Sequence, residues 1–221
     1  MSDGAFDEAR GALGLPEDVV ERLARAEEEL GFDQPARARE LCDAVLEGLA
    51  PDSPWRAAAL YLRAMARDDA GRLEDLREAV ACAPNAEPSW GARARLALGR
   101  ALGDRDQLER AVGELAACGR PVQEASAMLT LARLELGSGH PARARHWARS
   151  IRERLSGVLH LEARRYEVHA LEVLADAAPE AAEERAFLRE ALERAQTLEL
   201  GRRRALRERL EWLEARRGPF R

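Results

Sequence analysis

Apolar positions recur every third or fourth residue through most of this chain, in blocks broken by proline, glycine and aspartate. The alternation that marks a half-buried strand is nearly absent. Alanine, leucine, glutamate and arginine, all strong helix formers, fill the blocks. The pattern predicts helices at about 16–30, 35–49, 54–69, 72–83, 88–102, 106–118, 121–136, 141–155, 158–176, 180–198 and 202–216. Ser53 before Pro54 reads as an N-cap followed by proline at the first helical position, and Pro16, Pro35, Pro88, Pro121 and Pro141 sit comparably early in their helices. Gly31, Gly71, Gly137 and Gly139 fall where the first helix of a hairpin should stop. Ten helices pair into five hairpins, and the eleventh is placed to cover the apolar edge of the last one.

The hairpins repeat. The string Pro35, Ala36, Arg37, Ala38, Arg39 returns 106 positions later as Pro141, Ala142, Arg143, Ala144, Arg145. At the same offset Ala26, Glu29, Leu30, Gly31, Glu47 and Leu49 meet Ala132, Glu135, Leu136, Gly137, Glu153 and Leu155. Trp55 and Trp90, each just after a proline-containing turn, are 35 apart, and 106 is close to three such periods, so the chain reads as an array of helical repeats.

This spacing resembles the tetratricopeptide repeat. That family places a leucine and a small residue on its first helix, a large residue three later, a glycine at the turn, and small and bulky residues on its second helix. Leu98, Gly99, Leu102, Ala111 and Leu115 reproduce the order; so do Leu131, Ala132, Gly139, Ala144 and Ile151, with Glu135 where a large aromatic is usual. Ala64, Gly71, Val80 and Ala83 match more loosely, Ala26, Ala38 and Cys42 fit a first repeat, and Ala170 and Ala182 suggest a fifth. Short side chains at these places let two helices approach closely. Arg63 and Arg67 depart from the apolar pattern and Pro84 ends its repeat early, and other helical-hairpin repeats share motifs this degenerate. The resemblance covers residues 16–198 and implies an all-α, right-handed α-solenoid of about five antiparallel hairpins. Residues 199–221 then form a capping helix with a basic tail, and residues 1–15 a flexible N-terminus.

The formal charge of -5 argues against a general nucleic-acid binder, which needs surplus positive charge along its surface. No apolar run approaches the length of a membrane span, and the first 15 residues carry Asp3, Asp7 and Glu8 in place of a basic, apolar leader, so a cytoplasmic protein is expected. All 35 basic residues are arginine, yet the chain also has a single isoleucine, Ile151, and a single asparagine, Asn85, so a GC-rich bacterial genome accounts for the bias without a functional reading. Cys42, Cys82 and Cys118 form no CxxC pair, and their near-repeat spacing suits small apolar residues at helix contacts.

No HExxH helix, phosphate-cradling glycine loop, dinucleotide fingerprint or nucleophile elbow occurs. His140, His146, His160 and His169 avoid the spacing that puts two metal ligands on one helix face, and His169 could join Glu167 and Glu172 only through tertiary folding. The expectation is a non-enzymatic protein without cofactor or metal.

In proteins of the family resembled, first helices line a concave groove. That register implies a groove lined by Tyr61, Met65, Asp68, Arg93, Leu96, Arg100, Asp104, Leu129, Arg133, Arg164 and Glu167. Its four arginines among apolar neighbours suit an acidic segment or the C-terminus of another protein, since a guanidinium pairs its donors with both carboxylate oxygens. Two other readings stand beside this one. Residues 1–30 hold nine acids against three arginines and residues 201–221 eight arginines against three glutamates, a pairing that would let copies self-assemble head to tail. The chain would otherwise serve as the sensor or regulatory subunit of a bacterial signalling or transcription system.

Overall fold

A computed structural model describes residues 17–195 and 200–215, so the N-terminal segment 1–15, Pro16 and the chain end after Ala215 lie outside the described residues. Those described residues form eleven α-helices and one short 3-10 turn, with no strand among them. The chain divides into two compact units, one ending at Gly119 and the other beginning at Arg120.

The first unit holds α1 (Glu17–Gly31), α2 (Pro35–Gly48), α3 (Arg56–Met65), α4 (Gly71–Cys82), α5 (Pro88–Leu102) and α6 (Arg105–Ala117). The second holds α7 (Pro121–Gly137), α8 (Pro141–Leu155), α9 (Leu161–Asp176), α10 (Ala181–Arg194) and α11 (Leu200–Ala215). Helices pair as the sequence pattern predicts: α1 with α2, α3 with α4, α5 with α6, α7 with α8, and α9 with α10. The first helices of successive hairpins also touch, α1 with α3, α3 with α5, and α7 with α9. The last helix packs on α10 and buries Leu206 and Leu210. No helix among the described residues is long and apolar enough to cross a membrane.

Three first helices end in the same way. Asp33, Gly103 and Gly139 adopt φ of 58°, 62° and 77°, and the amide after each donates back to a carbonyl five residues earlier: Gln34 to Glu29 at 2.9 Å, Asp104 to Gly99 at 2.9 Å and His140 to Glu135 at 2.8 Å. This is the Schellman closure, which satisfies carbonyls a helix end would otherwise leave open. At Gln34, Arg120 and His140 the backbone then takes nearly one conformation, φ/ψ of -112/61°, -104/68° and -109/66°, and a proline begins the next helix each time. The 106-residue repeat is thus reproduced in backbone angles.

The starts of α3 and α4 differ from expectation. Pro54 lies in a turn and α3 begins at Arg56; the Ser53 hydroxyl accepts from the Trp55 amide at 3.4 Å, too long and too early to act as a helix cap. Gly71 opens α4 instead of closing α3, which ends at Met65, because Asp69 Oδ1 accepts both the Gly71 amide and the Arg67 Nε–H at 2.9 Å and turns the chain there.

Small residues set the helix spacing. A Cβ added at Gly99 would lie 2.9 Å from Leu108 Cγ, and one at Gly91 2.6 Å from Ala83 Cβ, so both contacts depend on glycine. Trp55 and Trp90 are fully buried. The arginines that interrupt the apolar pattern have a partner in the core. Arg63 grips the buried Asp75 with two bonds, at 3.0 and 2.6 Å, and Asp43 with a third at 3.0 Å, while Arg67 reaches Asp75 at 3.2 Å. In the second unit buried Glu124 accepts from Arg154 at 2.6 Å, and Glu135 is buried with His140 Nδ1 3.1 Å away. Cys42 is buried and its thiol is pushed up to about 12 by desolvation first and by the Asp43 and Asp75 charges after, against the pull of Arg63.

Two outcomes are expected. In urea denaturation, Gly139→Ala lowers stability by about 1 kcal/mol, whereas Asp33→Gly at the equivalent left-handed position leaves it unchanged or raises it. A thiol reagent at mildly alkaline pH, read by peptide mass spectrometry, labels Cys118 in the folded protein and reaches Cys42 only after unfolding.

Candidate partner-binding surfaces

In the first unit the faces of α1, α3 and α5 bring together Glu27, Tyr61, Trp90 and Arg93. The Arg93 guanidinium lies over two rings, 4.2 Å from the centroid of Trp90 and 4.9 Å from that of Tyr61, and the rings themselves are 5.9 Å apart. Its Nη2 donates to Glu27 Oε1 at 2.6 Å, with the Arg93 side chain only 15% exposed. Burial on its own would favour loss of the proton; Tyr61 and the Glu27 carboxylate outweigh it and hold Arg93 above its ordinary range. Glu27 Oε2 is buried without a hydrogen-bond partner. Arg93 already holds a carboxylate, and the carboxylate comes from its own chain.

The other expected groove residues of this unit scatter by role. Leu96 is buried, and Met65 is half-buried against the cluster of Ala64, Leu76, Ala97 and Leu98. Asp68 and Arg100 are exposed. Asp104 is the N-cap of α6, its Oδ1 accepting the Gln107 amide at 3.1 Å, which occupies the side chain in closing a helix.

In the second unit Leu129 is buried on α7 and Arg133 stands exposed one turn later. Arg133 Nη2 is 3.1 Å from His169 Nδ1 on α9. The same nitrogen is 3.1 Å from Glu172 Oε2 and 2.6 Å from Nη1 of Arg202 on α11, and that Nη1 is also 2.8 Å from His169 Nε2 and 3.3 Å from Glu172 Oε2. Nearby, the hydroxyls of Ser126 and Tyr166 share a hydrogen bond of 2.7 Å between α7 and α9. Desolvation works to raise the Glu172 carboxyl, but the His169 hydrogen bond and the Arg202, His169 and Arg133 charges overcome it and hold it below the usual carboxylate range. Its contribution to stability is therefore complete above that range and is lost as pH falls through the lowered value.

Arg164 is exposed on α9. Glu167, expected beside it in the groove, bonds instead to Arg194 of α10 at 2.8 Å and lines a cavity of about 470 Å³ with Arg149, Arg152, Glu153 and Ser156. Glu190 bridges Arg152 and Arg194 at 2.5 and 3.2 Å, so acids and arginines are balanced there. Of the two acids that only tertiary folding could bring to His169, Glu172 meets it and Glu167 bonds to Arg194. The basic tail supplies a residue the groove register missed, Arg202, and no local signal could mark it, because only the fold brings α11 beside α9. Two other arginines of the tail pair within the chain: Arg209 with Asp176 and Glu184, and Arg204 with Glu208. No group of three or more potential metal-ligating side chains assembles among the described residues.

Removing the Arg93 side chain leaves the half-buried Glu27 carboxylate, with its Oε2 buried, without its cation. Arg93→Ala is expected to destabilise the protein by about 3 kcal/mol. Glu27→Ala combined with it costs less than the two single losses added together, by at least about 1 kcal/mol in a chemical-denaturation cycle.

Compared with known proteins, the chain matches no protein-family model, no curated protein and no solved structure.

Proposed function

We propose that this protein is a non-enzymatic adaptor: a tetratricopeptide-like, right-handed solenoid whose first-helix faces hold an acidic segment or the free C-terminus of a partner protein. The observation that carries the reading is the packing of first helix on first helix within each unit, which gathers guanidinium groups and aromatic rings from different hairpins onto shared faces. Repeat arrays of this kind build display surfaces more readily than reaction centres.

The arginines divide the work unequally. Arg93 is committed to Glu27 and preorganises the aromatic floor of the first unit, with Tyr61 at its edge. In the second unit Arg133 is exposed and Arg202 stands across His169 from it, so recognition of carboxylates centres there, with Arg164 on the same helix as His169. A single exposed charge contact contributes at most about 1 kcal/mol, so recognition draws on several together and weakens with salt. The internal pairing of Arg204 and Arg209 leaves the head-to-tail assembly scheme with less charge to work with.

Fluorescence anisotropy with a labelled acidic peptide ending in a free carboxylate tests the proposal. The wild-type protein is expected to bind it, with affinity falling as salt rises, and Arg133→Glu to weaken it by about tenfold or more. Equal binding by both proteins, at a fold verified by circular dichroism, would overturn the placement; absence of binding to the wild type would overturn the acidic-partner reading.

A further inference from the structure

The cavity of about 470 Å³ in the second unit is lined from α8, α9 and α10, and its charges are only partly spent on one another. Glu190 holds both Arg152 and Arg194, and Arg194 also takes Glu167. Those four side chains close into one network. Arg149 and Glu153 line the same cavity, both exposed on α8, and neither makes an ion pair or a side-chain hydrogen bond among the described residues. They stand four residues apart with the arginine ahead of the acid, the poorer order for attraction along a helix. One guanidinium and one carboxylate are thus left open at the cavity.

The wall beyond them is a type II turn. Ser156 takes φ/ψ of -57/118°, Gly157 has φ of 84°, and the Val158 amide donates to the Leu155 carbonyl at 2.9 Å. That turn brings the Ser156 hydroxyl, which has no hydrogen-bond partner among the described residues, into the lining. His160 follows in extended backbone, φ/ψ of -130/141°, so Leu159 and Leu161 on either side of it project the same way. They are 92% and 53% exposed. One exposed leucine is ordinary, but two on one side of an extended stretch, beginning two residues from the cavity wall, make an apolar lip.

Each feature narrows the occupant. A lone anion would pair with Arg149 and be repelled by Glu153, and a lone cation would meet the reverse, whereas an occupant bearing one acid and one base answers both. Four residues of α8 rise about 6 Å, which is also one turn of a partner helix. We infer that this cleft is a docking site for a helical segment of a partner protein, one that presents a carboxylate to Arg149, a basic group one turn away to Glu153, and a leucine-sized side chain to Leu159 and Leu161. Arg133 has no part in the cleft lining, so the inference stands whether or not the carboxylate-binding face proposed above does.

The probe is a blocked, alanine-based peptide of about 16 residues, long enough to sample a helix, with a glutamate and an arginine four positions apart and a leucine one turn beyond. It is made with the acid first and with the base first, and each form is titrated into the full chain while the backbone amide signals are followed. One of the two orders is expected to give saturable shifts at Glu153, Ser156 and Gly157. Replacing its glutamate or its arginine by glutamine weakens binding at least about fivefold. Arg149→Gln weakens the parent peptide to the same degree and has no further effect on the peptide lacking its glutamate; Glu153→Gln does likewise for the peptide lacking its arginine. Both side chains are exposed, so the variants keep the fold, as circular dichroism checks.

No saturable shift at these amides with either order, or losses that simply add when both members of a pair are removed, overturns the docking site. Arg133→Glu separates it from the adaptor reading. That variant is expected to lose the acidic peptide and to bind the mixed-charge peptide as the wild type does. Loss of both peptides puts them on one face and overturns the second site. Binding of the acidic peptide alone by the wild type removes the cleft and keeps the earlier reading, and binding of the mixed-charge peptide alone does the reverse.

Discussion

Close approach of helices is the constraint on which everything else in this protein depends, and it is met by leaving side chains out. Among the described residues nearly half of the buried apolar ones are alanine, and Gly91 and Gly99 complete contacts that a single added carbon would obstruct. Such a core packs densely but buries little apolar surface per residue, since each alanine contributes one methyl group. The hairpins therefore lean on other interactions as well: the forked bonds from Arg63 to buried Asp75, the bond from Arg154 to buried Glu124, and the contact of Arg93 with the Trp90 and Tyr61 rings.

An arginine-only complement of cations suits this arrangement physically, whatever its origin in the coding sequence. A guanidinium can grip one carboxylate with two nitrogens and reach a second with the third, as Arg63 does with Asp75 and Asp43. An ammonium would hold one of these carboxylates as a point charge, and it lacks the planar face that Arg93 brings over Trp90 and Tyr61. The same geometry explains why so many charges of this highly charged chain point at one another instead of outward.

Helix existence and pairing were legible from period and punctuation, because local propensity and the tertiary fold agree there. Prolines 35, 88, 121 and 141 mark helix starts as read, and the repeat in sequence returns as a repeat in backbone angles. Legibility ended where a partner distant in sequence decides. Arg63 and Arg67 look like defects in an apolar stripe until Asp75 is seen between them; Arg93 looks like a groove cation until Glu27 arrives from 66 residues away. Gly71 and Ser53 were misread for a local reason: Asp69 and the Pro54 turn use up the hydrogen bonds that the simpler cap assignments required.

The turns after α1, α6 and α7 share one backbone path, yet the residue at its middle position is Gln34, Arg120 or His140. Left-handed residue before and proline after do the shaping, so the backbone path does not depend on which side chain stands between them, though His140 also meets the buried Glu135. Neutral, cationic and titratable groups thus interchange at this turn position without disturbing the helix that follows. The chemistry there can be rewritten one turn at a time while the backbone beneath stays the same.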